Sequence, residues 1–521
     1  MHRDDPVVVV GSGIAGLSAA LRIASARPVE LLTKGPLVSG STSLAQGGIA
    51  AALQVGDAPG LHALDTINAG AGLCDEGVVH DVCAQAPARV ADLVGLGVDF
   101  DRDAAGGLHL AREAAHGRAR VAHAGGDATG ARISAALAAC VVAHGSITVR
   151  EHRRAIDVLR DAGSAVGVRV RRADGTVEDV RAAATVLATG GLGGLFSRTT
   201  NPAGATADGM AMAWRAGAAL VDLELIQFHP TALAVEGGDG GWLPLISEAL
   251  RGAGATLHDE TGRRFMVDTH PLAELAPRDV VAREIAARAE RGRVTLTLPG
   301  IGPAEAARRF PSAARACRDH GLVLGRDPVP VAPAAHFAMG GVMTDLAGRS
   351  GLPQLFAIGE CASTGMHGAN RLASNAMLEG AVMAAECAAA IERGEPWPDG
   401  DPGPSRSLEP SVAAAAPAEE TALVRGEMSR AMGVERDPGR LGSAARRLDE
   451  IDADRLDLDG RSLHDVARKA VAGARMRAES RGAHHRRDHE GPDPRWARRV
   501  AWVGDDHHSI PLVHNAVRSA A

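Results

Sequence analysis

Four consecutive valines, Val7 to Val10, form the first apolar run of the chain, and a glycine-rich turn and an alanine-rich segment follow. An unbroken apolar run of this length predicts a strand covered on both faces, the usual setting of a parallel sheet. Residues 7 to 34 read as strand, turn, helix and strand, with the second strand in VELLTK. Two later apolar runs end in a similar way, TVLATGG at Gly190 and Gly191 and QLFAIGE at Glu360. Strand ends at three distant places predict a Rossmann-like α/β sheet assembled from separated stretches of chain.

The pattern then changes twice. From 228 to 330 helix and strand signals are mixed, which predicts an α+β capping domain inserted between a first nucleotide-binding part, 1–227, and a second, 331–393. Residues 394–418 turn to Pro, Gly, Asp and Ser and read as a linker. Beyond it, 419–521 carries charged amphipathic segments and is expected to form a helical C-terminal domain. Ser462 with Asp465 has the form of a capping box at the start of a helix that places Leu463, Val466, Ala470 and Ala474 on one face.

The first turn, GSGIAG, carries candidate chemistry. Gly11 permits the tight bend, Gly13 lets the backbone approach a pyrophosphate, and Gly16 lets helix and strand pack closely, with phosphates on the helix N-terminus. A dinucleotide site is expected there, the alternative being a glycine-rich turn without a ligand. The acid that usually meets an adenosine ribose should close the second strand, yet Thr33 and Lys34 stand there, and Glu30 lies mid-strand where it points at a neighbour. That departure argues against a plain NAD site. A flavin, threaded past several strand ends, fits better.

At 521 residues the chain exceeds one ordinary core, so two or three domains are expected. Only 2% of residues are aromatic and none is Tyr, so the core must be Ala, Val and Leu, and no tyrosine can act as a catalytic acid. A net charge of -7 gives no global attraction to nucleic acid or an anionic membrane. The 6 cysteines form no CxxC pair and no cluster with His at ligand spacing, which predicts reduced thiols in a cytoplasm and no iron-sulfur or zinc centre. The apolar stretch from Val7 to Ala24 is broken by glycines, follows Asp4 and Asp5, and is too short to span a bilayer; neither export nor a membrane span is expected.

Several polar residues stand in segments crowded with Gly, Pro and Ala, where they have little packing reason to be. They are Gln227 and His229 in QFHPT, Glu248 and Arg251 in SEALRGAG, Arg278, His336 in PAAHFAMGG and Arg371 in HGANRLASN. Paired arginines and histidines form a trap for a small dianion, and beside a flavin such a trap suits a dicarboxylate oxidoreductase.

In order and spacing, GSGIAGLSAAL, GSTSLAQGGIAA, DATG, LATGG, ADGMAMAWRAGA, QFHPTAL, SEALRG, ELAPRDVVAR, PAAHFAMGGV, IGE, HGANRLASNAMLE and ARMRAESRGAHHRRDH resemble the succinate dehydrogenase and fumarate reductase flavoprotein superfamily. Within it the chain is most similar to the L-aspartate oxidases, and the resemblance covers nearly its whole length. It implies FAD contacts at Gly11, Ser12, Gly13, Ile14, Ala15, Gly16 and Lys34, along the loop Ser41, Thr42, Ser43, Leu44, Ala45, Gln46, Gly47 and Gly48, and at Gly190, Asp208, Glu360, Ala376 and Met377. The dehydrogenase subunits carry a covalently linked His where this chain has Ser41, so FAD is expected to be noncovalent.

The resemblance also implies oxidation of L-aspartate to iminosuccinate, the first step of de novo NAD biosynthesis, with electrons passing to oxygen or fumarate and quinolinate synthase as a partner that takes the product. Gln227, His229, Ser247, His336 and Arg371 are the implied substrate-binding residues, Ser247 standing where the family usually has Thr. Glu113, in LHLAREAAHG, stands where the oxidases carry an acid for the substrate ammonium; the plain alternative is a surface Glu beside Arg112. Arg278 matches the proton donor and acceptor of fumarate reduction, with a purely electrostatic role as its competitor. The His484, His485 and His489 run matches a helix-end segment of the family, not a metal site. A fumarate reductase or succinate dehydrogenase flavoprotein subunit is the nearest rival, and a noncatalytic flavin-binding scaffold the rival of another class.

Overall fold

The computed structural model describes residues 5–235, 241–397, 403–406 and 418–511. At its centre is a parallel sheet of five strands in the order Leu355–Ala357, Ala184–Leu187, Val7–Val10, Val29–Leu32 and Ile147–Arg150. The valine run is the middle strand, buried along its whole length, each side chain contributing about 1.5–3 kcal/mol of apolar burial. The helix Ile14–Ile23 follows directly, and the helix Asn375–Arg393, far away in sequence, packs against it. Glu30 lies mid-strand, and Arg150 of the adjacent strand donates to its Oε1 at 2.7 Å.

Two glycines of the turn are required by packing. Gly11 has φ +112, and a Cβ there would stand 2.2 Å from Ala188 O, while a Cβ on Gly16 would stand 2.0 Å from Gly11 O. Gly13 differs: a Cβ would meet only Thr42 Oγ1, at 3.2 Å.

The insertion is built on an antiparallel sheet in the order Ile226–Leu233, Val329–Ala338, Thr295–Thr297 and Thr256–His258. It has an apolar core of its own that includes Leu250, Phe265, Val281, Ile285, Leu296 and Val331. The first two strands pass from the main core, which holds Ile226 and Ala338, into this second core, which holds Leu233 and Val331. Their register shifts between Gln227 and Phe228, which pair with Phe337 and Ala335, so His336 is the extra residue of a β-bulge. His229 and His336 thus meet where the two cores join, their rings 5.0 Å apart edge to face.

The expected linker lies largely outside the described residues. After it come the helices Ala418–Ala431, Pro438–Glu450 and Leu458–Met476. The third buries Leu463, Val466, Ala470 and Ala474 as expected, but Ser462 does not start it. Asp457 caps it, six residues before Leu463, accepting from Gly460 N at 2.6 Å, and Ser462 is buried inside the helix. The region is also not wholly helical. Strands Arg498–Val503 and Asp506–Pro511 form a hairpin whose first strand pairs with Leu220–Val221, stitching this end of the chain to the sheet that holds Gly341–Met343. Among the described residues no helix is long and apolar enough to cross a membrane.

Candidate active site

A cavity of about 640 Å³ joins the glycine turn to the junction of the two cores. Of the residues singled out as cofactor, substrate or catalytic positions, all but Gly16, Ser43 and Gln227 line it. Gly16 is consumed in helix packing. Ser43 turns its hydroxyl to Gly40 O at 2.7 Å. Gln227, fully buried, donates to Asn370 Oδ1 and Arg371 O at 2.8 Å and accepts from Arg278 at 3.0 Å. It supports the site from behind.

The nucleotide end has the features a bound FAD needs. Gly13 has no side chain of its own to cap the start of the Ile14–Ile23 helix, where Thr42 Oγ1 takes the N–H of Ile14 alone, and Gly190, at φ +77, has open space where a Cβ would be. Backbone N–H groups and the helix dipole can therefore meet phosphate. Lys34 reaches Asp208 at 2.6 Å and Thr206 at 2.7 Å. Asp208 also accepts from Arg154 at 3.0 Å, and Arg154 reaches Asp459 of the C-terminal helix at 2.8 Å. Despite complete burial, the Lys34 and Arg154 charges hold the Asp208 carboxyl below the usual carboxylate range. Ser41 opens the short helix Ser41–Leu44, whose Thr42 hydroxyl accepts from Ile14 N at 3.0 Å. Gln46 is anchored on Leu245 O at 2.8 Å. Glu360 accepts from Ala338 N at 3.1 Å, and burial pushes its carboxyl up to about 7.

At the other end Arg278 and Arg371 line the cavity and Arg251 stands behind them, with Glu248 ion-paired to both Arg278 and Arg251. Burial and the Arg278 charge push the Arg371 guanidinium down to about 9, and it lies 4.4 Å over the Phe337 ring with Nε unpartnered. His229 and His336 are both held well below the usual imidazole range, first by burial and then by Arg278 and other cations. They are neutral hydrogen-bonding groups at neutral pH. His229 Nδ1 accepts from Thr231 N at 3.2 Å, which fixes Nε2–H as a donor, and Nε2 is buried with no protein partner. His336 is tied through Nδ1 to the Thr200 hydroxyl at 2.7 Å. An unsatisfied donor, a depressed guanidinium and a net positive environment are what a small dianion would relieve.

Arg278 stands at the first position of the helix Arg278–Ala289, where Glu248 Oε2 takes its Nε at 2.7 Å. Arg251 does not line the cavity. It is fully buried behind Glu248, donating to Glu248 Oε1 at 2.7 Å and Glu274 O at 2.6 Å. Ser247 caps the helix Glu248–Gly252 by accepting from Ala249 N at 3.2 Å, which puts its hydroxyl at the cavity wall.

Glu113 is not a surface residue: it is 2% exposed. Ser374, whose backbone is left-handed at φ 62, donates to Glu113 Oε2 at 2.6 Å. Oε1 has no hydrogen bond and lies 3.5 Å from His123 Nε2, also unbonded. Sequence reasoning passed over Ser374 and His123, since nothing in either local segment ties it to Glu113. His484 is buried, bonded to Arg436 through Nδ1 and to Arg477 O through Nε2 at 3.0 Å, so its ring is committed within the fold. Among the described residues no group of three or more His, Cys, Asp or Glu could hold a metal ion. All six cysteines are free.

Comparison with known proteins gives a matching context. Residues 6–377 match an FAD binding domain, and residues 457–519 match the fumarate reductase flavoprotein C-terminal family. Among curated relatives, the L-aspartate oxidase of Streptomyces coelicolor is 46% identical over 95% of this chain and 90% of its own length. That of Caulobacter vibrioides is 46% identical over 94% of each chain. Among solved structures, a variant of the E. coli quinol fumarate reductase superposes with a TM-score of 0.87 at 26% identity, covering 99% of this chain and 98% of that one. A quinol-fumarate reductase with menaquinol superposes at 0.88 and 27% identity, covering 99% of both. The cavity, the FAD binding domain that forms it and these relatives together make the chain an FAD-dependent oxidoreductase that belongs to the L-aspartate oxidase family, within the succinate dehydrogenase and fumarate reductase flavoproteins.

Proposed function

We propose that this protein oxidises L-aspartate to iminosuccinate, the first step of de novo NAD biosynthesis, passing electrons to oxygen or fumarate. The observation that carries this reading is the pairing of opposite charges in one cavity. Arg278, Arg371, His229 and His336 offer donors to two carboxylates, and the buried Glu113 offers a free carboxylate oxygen to an ammonium. Succinate has no group for Glu113, so the oxidase reading is favoured over a succinate dehydrogenase or fumarate reductase subunit.

The residues of the glycine turn, Lys34, the Ser41 to Gly48 loop, Gly190, Asp208, Glu360, Ala376 and Met377 would hold FAD. With Ser41 in place of a linking His, that binding is noncovalent. FAD, when bound, supplies a two-electron acceptor for hydride. His229, Ser247, His336 and Arg371 bind the two carboxylates and so fix Cα, while Gln227 steadies Arg278 and the backbone of Arg371. Glu113 orients the ammonium. Arg278, paired with Glu248, donates the proton to carbon when fumarate is reduced and holds positive charge beside the substrate in the other direction. The buried wall around the charged cluster keeps water from the reacting carbon.

The free, mostly buried cysteines suit a cytoplasmic enzyme, and iminosuccinate would pass there to quinolinate synthase. A coupled assay that yields no quinolinate would overturn that hand-over. The test of the main reading is anaerobic mixing with L-aspartate or succinate. Bleaching of the flavin by L-aspartate, with iminosuccinate formed, is expected to be far faster than bleaching by succinate; the reverse order would establish the rival.

A further inference from the structure

The cavity leaves one pair of groups unexplained. Glu113 and His123 are 2% and 6% exposed, and their facing atoms, Oε1 and Nε2, are 3.5 Å apart with no hydrogen bond to any protein group. Burying a donor or acceptor without a partner is unfavourable, and two such atoms facing each other amount to a gap in an otherwise satisfied region. Glu113 lines the cavity and His123 does not, so the imidazole stands behind the carboxylate as seen by a ligand.

The backbone holds this arrangement. Glu113 follows the strand Leu110–Ala111 and His123 follows Val121–Ala122; the two strands pair antiparallel, with Ala111 opposite Val121. The His123 carbonyl is fixed by Asp101 N at 2.8 Å. Ser374 occupies Glu113 Oε2, so Oε1 is the oxygen left for both a ligand and His123. Ser374 is itself clamped on both sides: His116 Nε2 is 3.0 Å from Ala373 O and His62 Nε2 is 2.8 Å from Asn375 Oδ1. Arg251, Arg371 and His116 are among the charged or titratable groups coupled to Glu113, and Oε1 accepts from none of them.

Resting on the amino-acid oxidation proposed above, we infer that His123 is the proton acceptor behind Glu113 in a two-step relay that neutralises the substrate ammonium. In the first step an ammonium N–H bond breaks and an O–H bond forms at Glu113 Oε1. In the second, that O–H bond breaks and an N–H bond forms at His123 Nε2. The products are a neutral amine, the restored Glu113 carboxylate and an imidazolium held beside it. The amine nitrogen then has the lone pair that completes the C=N bond as the Cα hydrogen leaves as hydride to the bound flavin. An ammonium has no such lone pair, so oxidation of an amino acid needs this proton removed and reduction of fumarate does not. His123 acts through Glu113 and is a positioning and relay residue.

The experiment uses the FAD-loaded full chain. The limiting rate of anaerobic flavin bleaching by L-aspartate is followed against pH in the parent, His123→Gln and His123→Asn. A positioned proton acceptor contributes about 10²–10⁴-fold, so both variants are expected to bleach at least about a hundredfold more slowly at neutral pH. The lower limb of the rate profile should move to higher pH in both, because solvent base must then take the proton. Fumarate reduction by the prereduced variants and succinate binding followed through the flavin spectrum should match the parent. An unmoved pH limb, or a loss shared equally by fumarate reduction, overturns the relay. A parent that L-aspartate does not bleach would instead overturn the oxidase reading, so the two failures are distinct.

Discussion

Glu248 Oε2 accepts from Arg278 Nε at 2.7 Å and lies 2.7 Å from its Nη2, leaving that guanidinium half committed to a buried carboxylate before any substrate arrives. Arg278→Lys keeps the charge but cannot reach Glu248 and Gln227 together with one ammonium. With prereduced enzyme, fumarate reduction should fall at least about a hundredfold while fumarate binding, read from the flavin spectrum, stays near the parent's. A parallel loss of binding would make Arg278 a carboxylate clamp, and near-normal turnover would remove it from any specific role.

Glu113→Gln should separate the two substrates. A charge-assisted hydrogen bond is worth about 1.5–3 kcal/mol, or roughly tenfold to a hundredfold in rate when it acts in the transition state. Because Gln also cannot take up the ammonium proton, L-aspartate oxidation should fall at least about a hundredfold, no less than in the His123 variants, and fumarate reduction should keep its rate. Equal losses in the two assays would assign Glu113 to the fold.

Acid precipitation of the purified protein should leave yellow FAD in the supernatant, because Ser41 offers no imidazole for a covalent link. Flavin that stays with the pellet would contradict this.

Glu360 gives a pH signature. Its carboxyl rises from 4.5 to about 7 on folding, chiefly through burial. The folded state then binds the proton more tightly than the unfolded state, so this group's contribution falls as pH climbs from 4.5 to about 7 and is unfavourable above that. Glu360→Gln, which keeps an acceptor for Ala338 N, should raise the melting temperature of FAD-free protein at pH 8 and leave it unchanged at pH 4. An equal shift at both values would trace the effect to packing.

Much of the sheet was legible because burial on both faces leaves a plain record in sequence: Val7–Val10 is apolar throughout, and Ala184–Leu187 is apolar but for Thr185. The start of the Leu458–Met476 helix was misread because two capping signals lie five residues apart, and Asp457, the first, wins. The strand Arg498–Val503 was missed because its partner Leu220–Val221 is remote in sequence and its charged side chains mask the alternation. In the site, residue types revealed the charges to be gathered but not their pairings. Glu113 and Ser374 are 261 positions apart, and Arg278 and Glu248 are 30 apart, so only the folded chain shows which oxygen of each carboxylate is occupied.

The contact of Arg154 with both Asp208 and Asp459, and of Lys34 with Asp208, ties the nucleotide end of the cavity to a residue near the far end of the chain. Synthesis proceeds from the N-terminus, so the glycine turn and its sheet can form well before Asp459 has left the ribosome. The hairpin strand that pins the C-terminal region to Leu220–Val221 emerges later still. Tight flavin capture therefore belongs to the finished polypeptide, and a ribosome-bound chain halted before residue 459 should still exchange its flavin freely.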